Sequence, residues 1–494
     1  MNDPGRKLFL TQLAVLSAGI MFGPGCRSSS SAQCIIPPRD DSNSCDSSAI
    51  KVQDLSVIDL HCHPSLKMYL WGRDMRGRHF PRDGDNYFAQ QIDINTLRPG
   101  YMRGLVAAHY LVEASAEIQW DKLRLLVEGI QGFLPRLQDK IEHEDYSNFT
   151  QINIMIDVLE AQIHLANQYL KCETFVLARN FSEFKAAIAK GQIPFAHAIE
   201  GAHALGRNFP LGLRQEEEGY IPVPHMMEED NSHPAFKYIR NLEALKARGV
   251  CLITIVHFFH NDIAYPCEGL APNEKSSLGM CWCFDPKKND FLLDARIGVP
   301  VIEKMLDLGI IVDLTHLTPA ARRQIFSINR NRPQMRPLAF SHTGSRRIFN
   351  KYDQQFNGGK YENFGYYCVD ECEIREICAC KGVIGVVFEN FWLTGCNTHL
   401  GKDEKDKFSI CIPYVIETIL DINEQTDSKK FDNVAIGSDF DGFADAGKDL
   451  YKPSQLDELI YQMKHYQHHN FTDDEIKKIF YTNALRVLEE GWVG

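Results

Sequence analysis

Val57-Ile58-Asp59-Leu60-His61-Cys62-His63 is a short apolar run that ends in two histidines two residues apart. In an extended chain residues i and i+2 point to the same side, so both imidazoles can meet one metal ion. The pattern recurs. Phe195-Ala196-His197-Ala198-Ile199 is followed by Glu200, Cys251-Leu252-Ile253-Thr254-Ile255-Val256 by His257, and Ile310-Ile311-Val312-Asp313-Leu314 by Thr315 and His316. Pro337-Leu338-Ala339-Phe340-Ser341 leads to His342, Val434-Ala435-Ile436-Gly437-Ser438 leads to Asp439, and Val383-Ile384-Gly385-Val386-Val387 is a further run. Nearly continuous apolar runs suit parallel strands buried on both faces. Amphipathic stretches lie between them: Pro300 to Leu308 is closed by Gly309, and Thr472-Asp473-Asp474-Glu475 opens the last helix with a capping box. In a parallel β/α barrel the strand C-terminal ends converge on one mouth, where the chemistry is done. The expectation is an α/β fold, a (β/α)8 TIM-type barrel with lid or loop insertions. No G-x-G-x-x-G turn follows the first run, which disfavours a doubly wound open sheet.

Working outward, 44% of the 494 residues are hydrophobic and 24% charged, enough apolar material for a large core. A net charge of -12 excludes nucleic acid as a partner, because phosphate binding needs a clustered basic surface. Residues 1–25 read as a signal peptide, with Arg6 and Lys7 before an apolar stretch, Leu8 to Phe22, that is short for a bilayer span. Arg6-Lys7-Leu8-Phe9-Leu10 resembles a loosened twin-arginine signal. Gly25-Cys26 resembles a bacterial lipoprotein acceptor site, although Gly23 and Pro24 depart from its pattern. The expectation is an exported chain, periplasmic or tethered to the membrane through a lipidated Cys26. Residues 26–50 read as a Ser-rich tether and 51–494 as one barrel domain. That domain carries an insertion at about 206–236, where Glu216-Glu217-Glu218 and several prolines mark a surface loop or lid; Leu400 to Ser409 is similarly charged. The 15 cysteines become an even number if Cys26 is lipidated, and an oxidising compartment permits disulfides among them. Cys281/Cys283 and Cys368/Cys372/Cys378/Cys380 lack the C-x2-C spacing of structural zinc sites. With Cys368 and Cys372 at i, i+4 in an expected helix, buried thiols or a local disulfide are the expectation.

Four imidazoles and a carboxylate, His61, His63, His316, His342 and Glu200, are ligands that zinc accepts, and a carboxylate can bridge two ions. Two ions roughly 3.5–4 Å apart can share a hydroxide and polarise a carbonyl, which is what amide hydrolysis without a covalent intermediate requires. Asp439 would take the proton from the water and pass it to the leaving amine, and His257 would steady the oxyanion. Taken singly each of these residues is more often structural; as an ordered set on successive strand ends they point to a site. G-x-S-x-G, H-E-x-x-H and P-loop motifs are absent, and Cys62 reads as a buried filler between two histidines.

These segments resemble, in order, the membrane (renal) dipeptidase family of the metal-dependent amidohydrolase superfamily, across nearly all of residues 52–494. Ile58-Asp59-Leu60-His61-Cys62-His63 is similar to its first ligand motif and Ala198-Ile199-Glu200-Gly201-Ala202-His203 to its bridging-glutamate motif. Thr254-Ile255-Val256-His257 with Asn261 resembles its T-x-x-H-x-x-x-N segment, and Asp313-Leu314-Thr315-His316 and Phe340-Ser341-His342-Thr343 supply the later histidines. Ile436-Gly437-Ser438-Asp439-Phe440-Asp441-Gly442 is near the family signature, and Asn483-Ala484-Leu485-Arg486-Val487 resembles its terminal helix.

The resemblance implies a homodimeric barrel with two zinc ions, or another divalent metal, that hydrolyses small dipeptides, some with a D-residue at the C-terminal position. His61, His63, Glu200, His316 and His342 would be the metal ligands, His257 and Asp439 catalytic, and Asn261 substrate-binding. Two departures stand out. The family has H-x-D where this chain has His63, and the stretch that carries its carboxylate-holding arginine, here Asn350-Lys351-Tyr352-Asp353, has none; Arg346, Arg347 or Lys351 would stand in. Two alternatives follow: the same binuclear barrel acting on another amide, lactone or ester, or a surface-anchored binding protein without turnover.

Overall fold

The computed structural model describes residues 56–77, 90–98, 101–111, 148–206, 215–216, 219–220, 233–269, 289–395, 410–442 and 447–493. The expected leader, tether and Cys26, the Leu400–Ser409 segment, Cys281/Cys283 and most of the 206–236 insertion lie outside them. Of that insertion, 215–216 and 219–220 pair as a two-stranded antiparallel hairpin.

Nine strands form the main sheet: β1 (Val57–Cys62), β2 (Met102–Tyr110), β3 (Phe175–Ala178), β4 (Ile193–Glu200), β5 (Val250–Thr254), β6 (Ile311–Asp313), β7 (Ala339–Thr343), β8 (Val383–Val386) and β9 (Val434–Ile436). All nine pair in parallel, and eight of them, all but β3, close into a ring. β1 joins both β2 and β9, and β2 pairs with β4 from Leu105↔Phe195 to Tyr110↔Glu200. β3 hangs on the N-terminal half of β4, below the stretch where β4 meets β5. The architecture is the (β/α)8 barrel that the alternation of apolar runs and amphipathic stretches implies. Barrel strands face side chains on the inside and helices on the outside, so both faces bury, and the side chains of β1, β4, β5, β7 and β8 are buried throughout.

The helices start and stop where the local chemistry says they should. Gly298–Leu308 ends on Gly309 at φ 65, a left-handed cap that favours glycine. Pro319–Arg330 begins with Pro at its first turn and Thr318 accepting from the Ala321 N–H, and Asp473–Lys477 carries the reciprocal Thr472/Glu475 capping box. One expectation needs correction. Cys368 and Cys372 do not share a helix: Glu371–Ala379 starts after an Asp370/Glu373 capping box, and Cys368 precedes it in extended backbone. Cys368, Cys372, Cys378 and Cys380 are all free thiols, with Cys368 and Cys380 buried, whereas Cys172 is disulfide-bonded. Among the described residues no helix is long and apolar enough to cross a membrane.

Candidate metal centre

The barrel register sets the floor of the site before any ligand is considered. Tyr110 pairs with Glu200, Glu200 with Thr254, and Thr254 with Asp313, so four consecutive strands bring polar side chains to one level. His61 lies inside β1, and His63 stands immediately before the helix Pro64–Trp71. His342 lies inside β7. His316 and Asp439 lie just beyond β6 and β9 in left-handed backbone, φ 67 and φ 60, a conformation that non-glycine residues keep only when their surroundings over-determine it. The surroundings do so for Asp439: its N–H donates to His61 O at 2.9 Å, and the His63 N–H donates to Phe440 O at 2.7 Å.

Five buried imidazoles aim Nε2 at the Glu200 carboxylate. His61, His342 and His316 lie 3.3, 3.4 and 3.5 Å from its Oε1, and His63 and His257 lie 3.4 and 3.7 Å from its Oε2. Asp439 Oδ1 is 3.0 Å from His63 Nε2. The nitrogens also crowd one another, with Nε2 to Nε2 distances of 3.0 Å for His61 and His63 and 3.1 Å for His316 and His342. Three groups of three bring their donor atoms close enough to hold a cation: His61, His63 and Asp439; Glu200, His316 and His342; and His61, Asp313 and His342.

The electrostatics favour a bound cation. Burial pushes the Glu200 carboxyl up, but His257, His61 and His63 outweigh it and hold the group well below the usual carboxylate range. Burial lowers His61, yet the charge of Glu200 prevails and raises it to about 9. Burial lowers His316 and His342, helped by His257 beside the first and His61 beside the second, which keeps both rings neutral, each with one bare nitrogen able to ligate. Glu200 Oε1, though buried, accepts no hydrogen bond. A buried carboxylate oxygen left so costs several kcal/mol unless a cation meets it, and nitrogen-rich donors around a central carboxylate fit a divalent metal.

Residues 212–491 match the model of the membrane dipeptidase family, peptidase family M19. The chain belongs to the membrane dipeptidase family. The matched stretch holds His257, His316, His342 and Asp439; His61, His63 and Glu200 precede it and join the site through the barrel. An uncharacterized dipeptidase of Schizosaccharomyces pombe is 27% identical over 190 residues, so the match spans 38% of this chain and 38% of that relative. In fold, the chain is similar to a metallo peptidase from Rhodobacter sphaeroides crystallised with a phosphinate mimic of the dipeptide L-Ala-D-Ala (TM-score 0.56, 14% identity, 89% of this chain and 99% of that one). It is similarly related to the probable dipeptidase PvdM from Pseudomonas aeruginosa (TM-score 0.56, 15% identity, 89% and 96%).

Within this family member, the two expected substrate contacts, Arg346 and Asn261, are both hydrogen-bonded within the protein. Arg346 donates to Gly365 O, Cys368 O and Asp370 Oδ2 and lies over the Tyr366 ring, so its fork is engaged at the start of the helix Glu371–Ala379. Arg347 pairs with Asp421 and Lys351 with Glu417. Asn261 accepts from the Ile263 and Ala264 N–H groups and donates to Ile255 O, which shapes the loop that carries His257. The sequence reading missed Tyr110, whose ring lies 4.4 Å from that of His257, and an aromatic wall of Trp392 stacked on Tyr367 at 4.7 Å beside His316 and His342. It also missed two buried carboxylates under the ligands. Asp59 accepts from the His61 and Ser438 N–H groups and from Ser438 Oγ, and burial raises it to about 6 despite those bonds; Asp313 accepts from Thr254, Thr315 and Ser341. A charged residue inside an apolar run was the available signal for both.

Proposed function

We propose that the chain is a zinc-dependent dipeptidase that acts on dipeptides, including those with a D-residue at the C-terminal position. The observation that carries this reading is the convergence of five imidazoles on Glu200 with Asp439 at 3.0 Å from His63. His61 and His63 on one side and His316 and His342 on the other would hold two zinc ions, with Glu200 as the carboxylate they share and Asp439 beside the first pair. When bound, the pair supplies Lewis acidity and a water acidic enough to attack near neutral pH. Asp439 takes the proton released by the attacking water and returns it to the amine that leaves. His257 donates toward the scissile carbonyl oxygen, where negative charge develops. Trp392 and Tyr367 offer an apolar face for a substrate side chain. The L-Ala-D-Ala mimic held by the Rhodobacter sphaeroides protein supports the D-residue reading.

A second reading keeps the centre and changes the substrate to another amide, lactone or ester. It is favoured by Arg346, which is engaged with Asp370, and by His63, an imidazole where the family carries a carboxylate. The test is zinc-reconstituted hydrolysis of L,L and L,D dipeptides and their C-terminal amides, with metal content measured on the same sample. Turnover that needs a free carboxylate and is lost with chelator supports the dipeptidase. Chelator-sensitive turnover indifferent to the carboxylate supports the second reading. Absence of turnover with metal bound, and chelation that only lowers the melting temperature, would leave a binding protein. Export, a lipid tether at Cys26 and a homodimer complete the proposal, resting on Arg6, Lys7, the apolar stretch to Phe22 and the family resemblance.

A further inference from the structure

We propose that Ser341 is a positioning residue whose single hydroxyl sets the tautomer of one histidine in each ligand group, His61 and His342; this rests on the two-group reading of the centre. Ser341 Oγ lies 2.6 Å from Asp313 Oδ2, 3.0 Å from His61 Nδ1 and 2.8 Å from His342 Nδ1. A hydroxyl has one hydrogen to give and two lone pairs to receive with. Where the hydrogen goes decides everything else.

Asp313 decides it. The carboxylate is fully buried and ringed by donors: Thr315 N at 3.1 Å, Thr315 Oγ1 at 2.8 Å, Ser341 N at 2.8 Å and Thr254 Oγ1 at 2.5 Å. A carboxylate held among donors accepts the Ser341 hydrogen as well. The two lone pairs of Oγ then face two ring nitrogens, and each must carry a hydrogen to make a bond. Both imidazoles are thereby Nδ1–H, and both present a bare Nε2 to the centre, 3.3 and 3.4 Å from Glu200 Oε1. The reverse choice, with the hydroxyl hydrogen on an Nδ1, would set two oxygens 2.6 Å apart with no hydrogen between them and point one Nε2–H at the place where a cation must sit.

The same hydroxyl explains why a third grouping of possible ligands, His61, Asp313 and His342, is no cation site: Ser341 Oγ is bonded to all three. The backbone there has no freedom to drift. A Cβ on Gly385 would come within 2.0 Å of Ser341 O, and one on Gly437 within 1.7 Å, so β8 and the residue that follows β9 both close on this carbonyl.

The test uses the full-length chain. Zinc is titrated in competition with a chromogenic chelator for wild type, Ser341→Ala and Ser341→Cys, with unfolding of the metal-free proteins followed in parallel. Losing a group that orients a ligand histidine weakens metal binding roughly 10–100-fold, and here the loss is expected at both successive binding steps. The thiol, a poor acceptor, should behave like alanine and carries the test if Ser341→Ala fails to fold. Wild-type affinity in either folded variant, or a loss confined to one step, overturns the proposal. Nitrogen-15 NMR of the metal-free proteins, recorded at a pH above the value of about 9 for His61 so that both rings are neutral, is the second arm: His61 and His342 should be Nδ1–H in wild type and mixed in the variants. Wild-type protein that binds no zinc would overturn the two-group reading, and the NMR arm would still judge Ser341.

Discussion

Asp439 combines two constraints in one residue: a left-handed backbone and a carboxylate 3.0 Å from His63 Nε2. Asp439→Asn keeps the shape and removes the proton acceptor. Turnover should fall by roughly 10²–10⁴-fold while metal content by elemental analysis stays near wild type; unchanged turnover would end the proton-transfer assignment. Gly442 is a second test of the same corner, because a Cβ there would lie 2.0 Å from Asp439 Oδ1 and 2.7 Å from His63 Cδ2. Gly442→Ala should therefore lower activity by displacing both side chains and leave the circular dichroism spectrum unchanged. At this scale the ligands were legible and their supports were not. His61, His63, Glu200, His316 and His342 were visible because each ends an apolar run. Asp59, Asp313 and Ser341 sit inside such runs, where the apolar pattern is read as strand and single polar residues pass as interruptions. Arg346 shows the opposite limit: its place in the sequence near His342 says nothing about which way its side chain turns, and the structure turns it to Asp370.

Elements were easier to read when their chemistry was local. The capping box at Thr472 needs only four residues to be recognised, and it forms with reciprocal bonds. Thr472→Ala should cost about 1 kcal/mol in urea unfolding, and a shift indistinguishable from zero would show that the cap adds nothing to the packed helix. β2 escaped notice because Met102-Arg103-Gly104-Leu105-Val106-Ala107-Ala108-His109-Tyr110 has few β-branched residues and a glycine. The reason lies in packing across the wall: a Cβ on Gly104 would come within 2.4 Å of the Phe184 ring, so the helix Phe181–Ala189 sits tight against the strand. Tertiary fit overrode propensity, and Tyr110 was lost from the site with its strand.

Across the whole molecule, barrel and helices are joined by a polar chain. Ser65 Oγ meets His109 Nδ1 at 2.8 Å, His109 Nε2 meets His197 Nδ1 at 2.9 Å, and His197 Nε2 faces Glu160 Oε1 at 3.4 Å on the helix Asn148–Leu170. Arg248 also reaches Glu160 Oε1, at 3.1 Å. The contact with His197, with that of Arg248, overcomes burial and lowers Glu160 from 4.5 to about 2. A carboxylate whose folded value lies below its unfolded one contributes stability above the unfolded value and loses it as pH falls through the folded one. Wild type should lose that share between about pH 4.5 and 2, and Glu160→Gln should be less stable at pH 7 with a shallower acid decline over that window. Parallel pH dependence in the two proteins would contradict the assignment.

The bond from the Ser438 N–H to Asp59 Oδ1 joins residues 379 apart, and it closes the seam between the first and last strands of the ring. The cluster of His61, His63 and Asp439 straddles that seam. A ribosome must pass Ile436 of 494 residues before the ring can close, so the place for an ion is completed late in the synthesis of each molecule.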